Sequence, residues 1–256
     1  GVTSCSQLLV TPTRNSQQFI ISMNFIYICL SSQKQTKIQK SMKKFAVVLA
    51  GCGVYDGAEI HEAVMTLLAI KKQGADYSIF APDIQQHHVI NHTSGEEMPE
   101  KRNVLIESAR ISRGNIQDLK NYNPVDFDAI IFPGGFGVAK NLCDFAFKGA
   151  DCSVNDVVAD AIKKTIEKAK PLGALCISPA LIAKVIGDAE LTVGQDKATI
   201  EQLEKLGAKH KNTGHGEVVI DEKYKIFTTP CYMLDADITD IEEGSFNIVK
   251  EMLRVM

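Results

Sequence analysis

The sequence predicts an α/β domain, a three-layer sandwich in which helices cover both faces of a mostly parallel sheet. From Lys43 onward, short apolar runs typical of strands buried on both faces alternate with amphipathic segments of helical period. Such alternation predicts parallel strands, because each helix carries the chain back across the sheet. The chain of 256 residues is 45% hydrophobic and can bury one large core, and no internal repeat or linker divides residues 43–256.

The first half of this domain is predicted to be a strand, a helix and a second strand. Residues 45–51 are a continuous apolar run, which predicts a buried strand, and the glycines that follow predict a loop. Residues 59–72 are predicted to be helical, because apolar residues recur on one face and Gly74 follows the last of them. A second strand at 77–81 ends at Pro82, and the polar stretch 83–125 contains one helix-like segment at 103–110.

The second half continues the alternation. A buried strand at 128–132 runs into the turn Pro133-Gly134-Gly135-Phe136-Gly137, which is predicted to open a helix. The remaining predicted elements are a helix at 154–168, a strand that ends at Cys176, a strand at 191–193, a helix at 199–206, strands at 218–221 and 225–229, and a helix at 238–253. Ligands of such sheets bind at the carboxyl ends of the strands, so a site is predicted among loop 52–58, turn 133–137 and Cys176.

Residues 1–41 differ in composition from the rest. They hold four of the 28 basic side chains and no acidic one, which leaves 24 basic against 31 acidic side chains and a net charge of −7 for the remainder. An acidic body argues against nucleic-acid binding. The apolar run 19–30 is too short to span a bilayer, so no membrane association is expected. We predict a disordered leader, either an added or upstream-translated segment before Met42 or an organelle transit peptide.

The cysteines indicate a reducing compartment. Their number is odd and no two of them form a CxxC pair, which argues against a disulfide scaffold or a zinc site. They are Cys5, Cys29, Cys52, Cys143, Cys152, Cys176 and Cys231. No set of histidines has metal-ligand spacing either, so we expect no metal. We also expect no cofactor. A reducing compartment favours a cytoplasmic location.

Cys176 is the candidate nucleophile. It follows a short apolar strand, its neighbours Ala174 and Ser178 are small, and Ser178-Pro179 is a good N-cap followed by a good first helical residue. Strand, sharp turn and helix are the parts of a nucleophile elbow. A thiol at a helix N-terminus is expected to have a lowered pKa and to react as the thiolate. The alternative is a buried structural cysteine at the end of a strand.

Two further segments complete the predicted constellation. Gly134 and Gly135 let backbone N–H groups approach a substrate, and with the N–H of Ile177 they would form an oxyanion hole. A tight turn that binds nothing is the alternative, and a phosphate-binding loop is disfavoured by the spacing. Glu59 and Glu62 share a helix face, where spacing alone favours complementation of the helix dipole over proton transfer for a thiol.

Several segments together resemble a known family. Residues 57–62, Pro133-Gly134-Gly135 and Ala174-Leu175-Cys176 resemble the class I glutamine amidotransferase-like superfamily, the clan of the PfpI-type proteases. Longer matches at 49–62, 80–83, 102–107, 132–137 and 228–230 resemble one subfamily, the enhancing lycopene biosynthesis protein, also called glyoxalase ElbB. The resemblance covers about residues 43–256 and implies a flavodoxin-like fold and a homodimer.

The resemblance also implies roles for particular residues. It implies Cys176 as nucleophile, Glu62 as its carboxylate partner, and Gly134, Gly135 and the Ile177 N–H near a developing oxyanion. The chain departs from the superfamily's triad members, because no histidine follows Cys176 before His210. This disfavours amidase chemistry, in which a general acid protonates the leaving amine.

Three hypotheses follow. The first is a cofactor-independent glyoxalase that acts on small 2-oxoaldehydes and converts glyoxal to glycolate. The second is a non-catalytic binding or redox-sensing module linked to isoprenoid biosynthesis or stress. The third is a subunit that hydrolyses glutamine.

Overall fold

The computed structural model describes residues 42–256, so the predicted leader at 1–41 lies outside the described residues. The strands of the described chain are β1 Lys44–Val48, β2 Asp76–Ala81, β3 Val89–Ile90, β4 Glu97–Met98, β5 Gln117–Asp118, β6 Ala129–Phe132, β7 Leu172–Leu175, β8 Glu190–Leu191, β9 Lys209–His210, β10 Val219–Asp221 and β11 Ile226–Thr229. The α-helices are α1 Ile60–Lys72, α2 Val104–Ile111, α3 Phe145–Lys148, α4 Asp156–Glu167, α5 Pro179–Ile186, α6 Lys197–Lys205 and α7 Ile238–Arg254.

A seven-stranded sheet forms the middle layer, in the order β10–β11–β7–β6–β1–β2–β5. All of its neighbouring strands pair in parallel except β10, which pairs antiparallel with β11 at one edge. The predicted mostly parallel α/β sheet is therefore confirmed. The carboxyl ends of β1, β6, β7 and β11 lie side by side, so the loops that follow these four strands meet at one edge.

Helices cover both faces of this sheet, as the period of the sequence predicts. Alternate residues of β1 face opposite ways: Phe45 and Val47 belong to the core under α1 and α7, while Ala46 and Val48 belong to the core under α4 and α5. Because both faces of the strand are buried, its sequence reads as an unbroken apolar run. The result is the flavodoxin-like three-layer sandwich.

Capping side chains move several predicted helix ends. Glu59 and Asn103, predicted as the first helical residues, instead have extended backbone and cap α1 and α2. Each side chain accepts a hydrogen bond from the backbone N–H three residues on, which pairs a donor that the helix leaves open. The helix predicted at 199–206 begins earlier for the same reason, since Asp196 accepts from the N–H of Thr199 and caps α6.

The turn after β6 opens a different helix from the one predicted. Residues Val138–Leu142 form a single π-helical turn that ends at Cys143. Asn141, in this turn, connects it to the loop after β1, because its side-chain amide donates hydrogen bonds to the carbonyls of Ala50 and Asp56. Wide turns of this kind recur near functional sites, and here the turn fastens the loop after β1 to the segment that follows β6.

None of the helices within residues 42–256 is long and apolar enough to cross a membrane. The same residues contain no group of three or more His, Cys, Asp or Glu side chains placed to hold a metal ion. Their five cysteines are free thiols.

Candidate active site

Cys176 lies in a sharp turn between β7 and α5. Its φ is +59°, in the left-handed region that an L-residue enters at a cost on the order of 1–3 kcal/mol. The turn is held by two backbone hydrogen bonds, from the Cys176 N–H to the Thr229 carbonyl of the neighbouring strand and from the Ser178 N–H to the Leu175 carbonyl. The geometry is the predicted elbow, and it aims the thiol away from the strand toward the loops at the sheet edge.

Ser178 has a different job from the predicted one. It stands at the N-cap position of α5, but its side chain makes no capping hydrogen bond and its backbone is already helical. Instead Ser178 Oγ, fully buried, donates to the carbonyl of Pro133 at 2.9 Å. The prediction of a capping serine is therefore wrong. Its hydroxyl ties the elbow to the turn after β6, because the carbonyl there has no strand partner.

Glu62 reaches the site from the first turn of α1. Its side chain is fully buried, and its Oε2 accepts the Gly134 N–H at 2.8 Å while its Oε1 accepts the Tyr232 N–H at 3.3 Å. The dipole role favoured by spacing alone is thus correct for Glu59, which caps the helix, and wrong for Glu62.

Gly134 allows the carboxyl group and the thiol to meet. A methyl group added at Gly134 would lie 2.5 Å from Cys176 Cβ, 2.6 Å from Glu62 Oε2 and 3.0 Å from Cys176 Sγ. Both side chains therefore pack against the backbone of Gly134, which places the Glu62 carboxyl group beside the Cys176 thiol. This close approach is the physical reason for a glycine at this position.

Gly135 has a second constraint. Its φ is +103°, and a Cβ there would fall 2.3 Å from the Glu59 N atom. The loops after β1 and β6 run together at this point, joined by hydrogen bonds from the Glu59 N–H to the Gly134 carbonyl and from the Gly137 N–H to the Gly57 carbonyl. The two loops therefore form one floor for the site.

Burial changes the acidity of both central groups. Desolvation, with the nearby Glu59 carboxyl as a second cause, raises the pKa of Glu62 to about 8. Desolvation and then the facing Glu62 raise the pKa of Cys176 well above its ordinary value, against the lowering effect of two backbone N–H groups. The predicted lowering of the Cys176 pKa by the helix N-terminus is wrong, because desolvation of a residue that is only 7% exposed and the facing Glu62 outweigh the nearby backbone N–H groups.

The two N–H groups that face the sulfur belong to Gly135 and Ile177. The N–H of Gly134, which the resemblance also implies near the oxyanion, is engaged with Glu62. The structure therefore brings all five predicted residues together: Cys176, Glu62, Gly134, Gly135 and Ile177. The backbone N–H groups of the last three have two different partners. Gly134 supports the carboxyl group, while Gly135 and Ile177 point donors at the thiol.

A fourth loop, absent from the predicted constellation, also lines the site. Cys231–Met233 follows β11 as a short 3₁₀ turn, and its Tyr232 binds Glu62 through the backbone and His61 through the phenol, with the phenol oxygen 2.8 Å from His61 Nδ1. The sequence does predict the strand at 225–229, so a turn after it could have been considered as part of the site. The pairing of β11 with β7, which brings that turn to Cys176, is visible only in the fold.

The histidines do not complete a triad. His210, the first after the nucleophile, lies in β9, and its Nε2 accepts the Val193 N–H. Among the described residues, no hydrogen bond joins a histidine to Cys176 or Glu62. The central pair is therefore a thiol and a carboxyl group alone.

Comparison with known proteins shows what this fold and site are similar to. No family model matches the chain. A Rattus norvegicus protein named ES1 protein homolog, mitochondrial, is 46% identical over 222 residues, which cover 83% of this chain and 84% of the rat protein. The human glutamine amidotransferase-like class 1 domain-containing protein 3, mitochondrial, is 44% identical over 228 residues, 85% of each chain.

A solved structure agrees with these relatives. The crystal structure of an isoprenoid biosynthesis protein with an amidotransferase-like domain from Ehrlichia chaffeensis is 32% identical, with a TM-score of 0.77 over 83% of this chain and 100% of that one. Each of these three matches covers more than four fifths of the chain. The chain therefore belongs to the ES1 family of class I glutamine amidotransferase-like proteins, as its motifs indicate.

Proposed function

We propose that this chain is a cofactor-independent glyoxalase-type enzyme that converts small 2-oxoaldehydes to 2-hydroxy acids, for example glyoxal to glycolate. The observation that carries the proposal is the buried contact of Cys176 with Glu62 over Gly134. A nucleophile and an acid–base group in contact, with two N–H donors beside them, meet the needs of an aldehyde addition followed by a proton shift.

The reaction balances without an oxidant or a metal. The Cys176 sulfur bonds to the aldehyde carbon and a proton goes to the aldehyde oxygen, which gives a hemithioacetal. Glu62 then takes the proton from that carbon while the neighbouring carbonyl oxygen takes one up, which gives an enediol. A proton is delivered to the neighbouring carbon and the hydroxyl group on the sulfur-bearing carbon gives up its proton, which yields a 2-hydroxyacyl thioester. Water cleaves the carbon–sulfur bond and releases the 2-hydroxy acid and the free thiol. One carbon is oxidised and its neighbour is reduced.

The two N–H groups at the sulfur have a role in this scheme. The backbone N–H groups of Gly135 and Ile177 lie close enough to the Cys176 sulfur to lower the pKa of its thiol. Oxygen on the carbon that bonds to this sulfur becomes negative during addition and during thioester hydrolysis. Fixed donors in a buried site stabilise such charge at little reorganisation cost.

The raised pKa values of Glu62 and Cys176 make the proposed reaction depend on pH. Because the pKa of Glu62 is about 8, its carboxylate form, which is the base, grows as the pH rises from neutral toward that value. The pKa of Cys176 is raised as well, so the thiolate also grows at alkaline pH. Turnover is therefore expected to rise between about pH 6 and pH 9.

Relatives support this proposal to different degrees. A structural neighbour is glyoxalase III from Candida albicans, with a TM-score of 0.55, but it is 14% identical and shares the fold alone. The proposal therefore stands on the site and on the motifs of the ElbB-type glyoxalases. The absence of a triad histidine disfavours glutamine hydrolysis, and a thiol that is 7% exposed with a raised pKa disfavours a peroxide sensor.

The test is glycolate formation from glyoxal without glutathione or added metal. Wild type should form glycolate, while Cys176→Ala and Glu62→Gln should each lose at least about a hundredfold in kcat/KM, since each removes a group that acts in the chemical step. Cys152→Ala removes a buried thiol outside the site and should keep the wild-type rate. Glycolate formation that survives Cys176→Ala would reject the proposal.

We also propose a homodimer in mitochondria. Two-fold dimers are the commonest assembly of soluble chains, and the relatives named above are called mitochondrial. Sedimentation of the pure protein tests the first part. Imaging of the full chain fused to a fluorescent protein tests the second, and a cytoplasmic signal would restore the expectation drawn from the sequence.

A further inference from the structure

A large apolar cavity opens beside the thiol. Its volume is about 490 Å³, and Cys176, Ile177 and Gly135 form one end of it. Cavities of this size that are lined mainly by apolar side chains are typical small-molecule sites. Glyoxal is far smaller than this space and carries no apolar group, so the proposed model substrate leaves most of the cavity without a role.

Two exposed aromatic rings stand in the wall of this cavity. Phe136 is 49% exposed and Phe147 is 50% exposed, although large aromatic side chains are usually buried. Each ring is nevertheless held in place. The Lys140 ammonium lies 5.1 Å from the centroid of the Phe136 ring, and the His87 ring lies 4.3 Å from that of Phe147. Fixed, exposed rings beside a nucleophile present a surface that an apolar ligand can cover.

Two polar side chains of the wall already have hydrogen-bond partners within the protein. Gln202 accepts the Ala150 N–H at 3.0 Å, and the phenol of Tyr232 pairs with His61. The Glu59 carboxyl also lines the cavity, so an anionic substituent would meet like charge there. The wall is therefore matched to a neutral apolar group.

From these observations we propose that the substrate of Cys176 is a 2-oxoaldehyde with an aryl or branched alkyl group, which lies against Phe136 and Phe147. The inference rests on the proposed function and names its substrate class. The aldehyde carbon reaches the sulfur while the apolar group fills the cavity, so its burial positions the reacting carbon. Phenylglyoxal is the corresponding probe, and the same balanced addition, proton shift and hydrolysis convert it to mandelate.

The test compares two substrates in matched variants. Phe136→Ser and Phe147→Ser remove one ring each, and Val125→Ser is the control, because Val125 is 66% exposed and lies before β6, at the amino end of the strands. Initial rates give kcat/KM for phenylglyoxal and for glyoxal. Each ring removal should lower the value for phenylglyoxal roughly three- to tenfold and that for glyoxal less than about twofold. Val125→Ser should leave both unchanged.

The kcat/KM for phenylglyoxal is divided by that for glyoxal in each variant, and this quotient is compared with the wild-type quotient. The comparison is then independent of the intrinsic reactivity of the two aldehydes. If both substrates lose equally in the phenylalanine variants, the cavity does not select an apolar group, and the inference is wrong while the glyoxalase proposal stands. If the variants change the sedimentation coefficient and not the substrate ratio, the rings belong to an interface between copies, which also overturns the inference.

A second measurement separates failure of the reaction from failure of the binding. Acetophenone and acetone, neutral ketones with and without an aryl group, are tested for protection of Cys176 against alkylation by iodoacetamide. If neither aldehyde is turned over, the glyoxalase proposal fails. Protection by acetophenone that is lost in Phe147→Ser would still support recognition of an apolar group, and equal or absent protection by the two ketones would overturn it.

Discussion

Cys176 and Glu62 are two acids buried against each other, and this decides how the site works. Neither ionises readily, because ionisation of either would place a charge in a dry environment beside a second acid. Because the two acids interact, each step in which the pair loses a proton is a property of the pair and not of one residue. A reactive thiolate is therefore produced when a substrate binds or when the pH rises, and it is not the resting state near neutrality.

Alkylation of Cys176 tests this description. We expect iodoacetamide to modify Cys176 slowly near pH 7 and progressively faster up to about pH 10, because burial and Glu62 raise the pKa of the thiol. Glu62→Gln removes the carboxylate that raises this pKa, so the rise in rate should move to lower pH. Peptide mass spectrometry measures the rate. A wild-type rate that is already at its plateau at about pH 6 would contradict the raised pKa.

The stability of the domain should depend on Glu62 as well. Its pKa is 4.5 for an unperturbed glutamate and about 8 in the fold, so the folded state holds the proton more tightly. The stabilisation by this group is complete below the unfolded pKa and is lost as the pH rises through about 8. Glu62→Gln has no such dependence, so its Tm relative to wild type should increase between about pH 5 and pH 9, by at least about 4 °C. Scanning calorimetry in a pH series measures it, with the exposed Glu201→Gln as a control whose difference stays constant.

At the scale of elements, the site depends on four loops that follow adjacent strands. The elbow after β7 contributes the thiol, and the loops after β6 and β1 together form the floor. The turn after β11 contributes the second donor to the carboxyl group of Glu62, which lies in α1 directly after the β1 loop. Backbone contacts at glycines hold these loops at a separation that no larger residue allows. Substitutions at the contacts should therefore disturb the chemistry more than the fold.

Gly134→Ala is the most direct of these substitutions. Its methyl group would meet both Cys176 Cβ and Glu62 Oε2 at under 3 Å, so the two side chains must separate. We expect loss of glycolate formation with a stability cost of roughly 1–3 kcal/mol. Gly214→Ala is the control, because its added methyl group would meet Glu217 Oε2 at 3.7 Å, an ordinary contact. Full activity in Gly134→Ala would show that Cys176 and Glu62 need not touch.

Ser178→Ala tests the tie between the elbow and β6. The buried hydroxyl donates to the Pro133 carbonyl, and its loss leaves that carbonyl unpaired, which costs about 1–3 kcal/mol. Urea unfolding should show this loss, whereas Ser153→Ala, at an exposed position, should not. An unchanged midpoint would mean that water or another donor replaces the hydroxyl.

At the scale of the whole molecule, residues 42–256 contain both cores and the complete candidate site. We therefore expect a chain that begins at Met42 to fold alone. Its Tm should agree with that of the full chain within about 2 °C, and its kcat/KM for glyoxal should be the same, since each layer of the sandwich lies inside this range. Calorimetry and the glycolate assay measure the two properties. A truncated chain that aggregates or loses activity would show that residues 1–41 contribute to the domain.

The elements that the sequence predicts best are those whose burial is written into consecutive residues. β1, β2, β6 and β11 lie within or within one residue of the predicted runs. For β1 and β6 the reason is burial on both faces, which makes nearly every residue of these two strands apolar. The start of α1 is set by Glu59, whose side chain accepts the Glu62 N–H, and the π-helical turn contains Asn141, whose side-chain amide donates to the carbonyl of Ala50; both partners depend on the backbone around them. Local pattern therefore identified the elements and tertiary hydrogen bonds moved their ends.

The sequence by itself determined the α/β class, the order of its elements, the elbow at Cys176 and the glycine turn beside it, since these depend on neighbours along the chain. Only the tertiary structure decided that Glu62 faces the thiol and that the Gly134 N–H donates to that carboxyl group. It also decided that Tyr232, in the turn after β11, contacts Glu62, and that both Glu62 and Cys176 have raised pKa values. The physical reason is that burial and charge–charge contact arise between loops that are distant in sequence. The pairing of parallel strands brings those loops to one edge of the sheet.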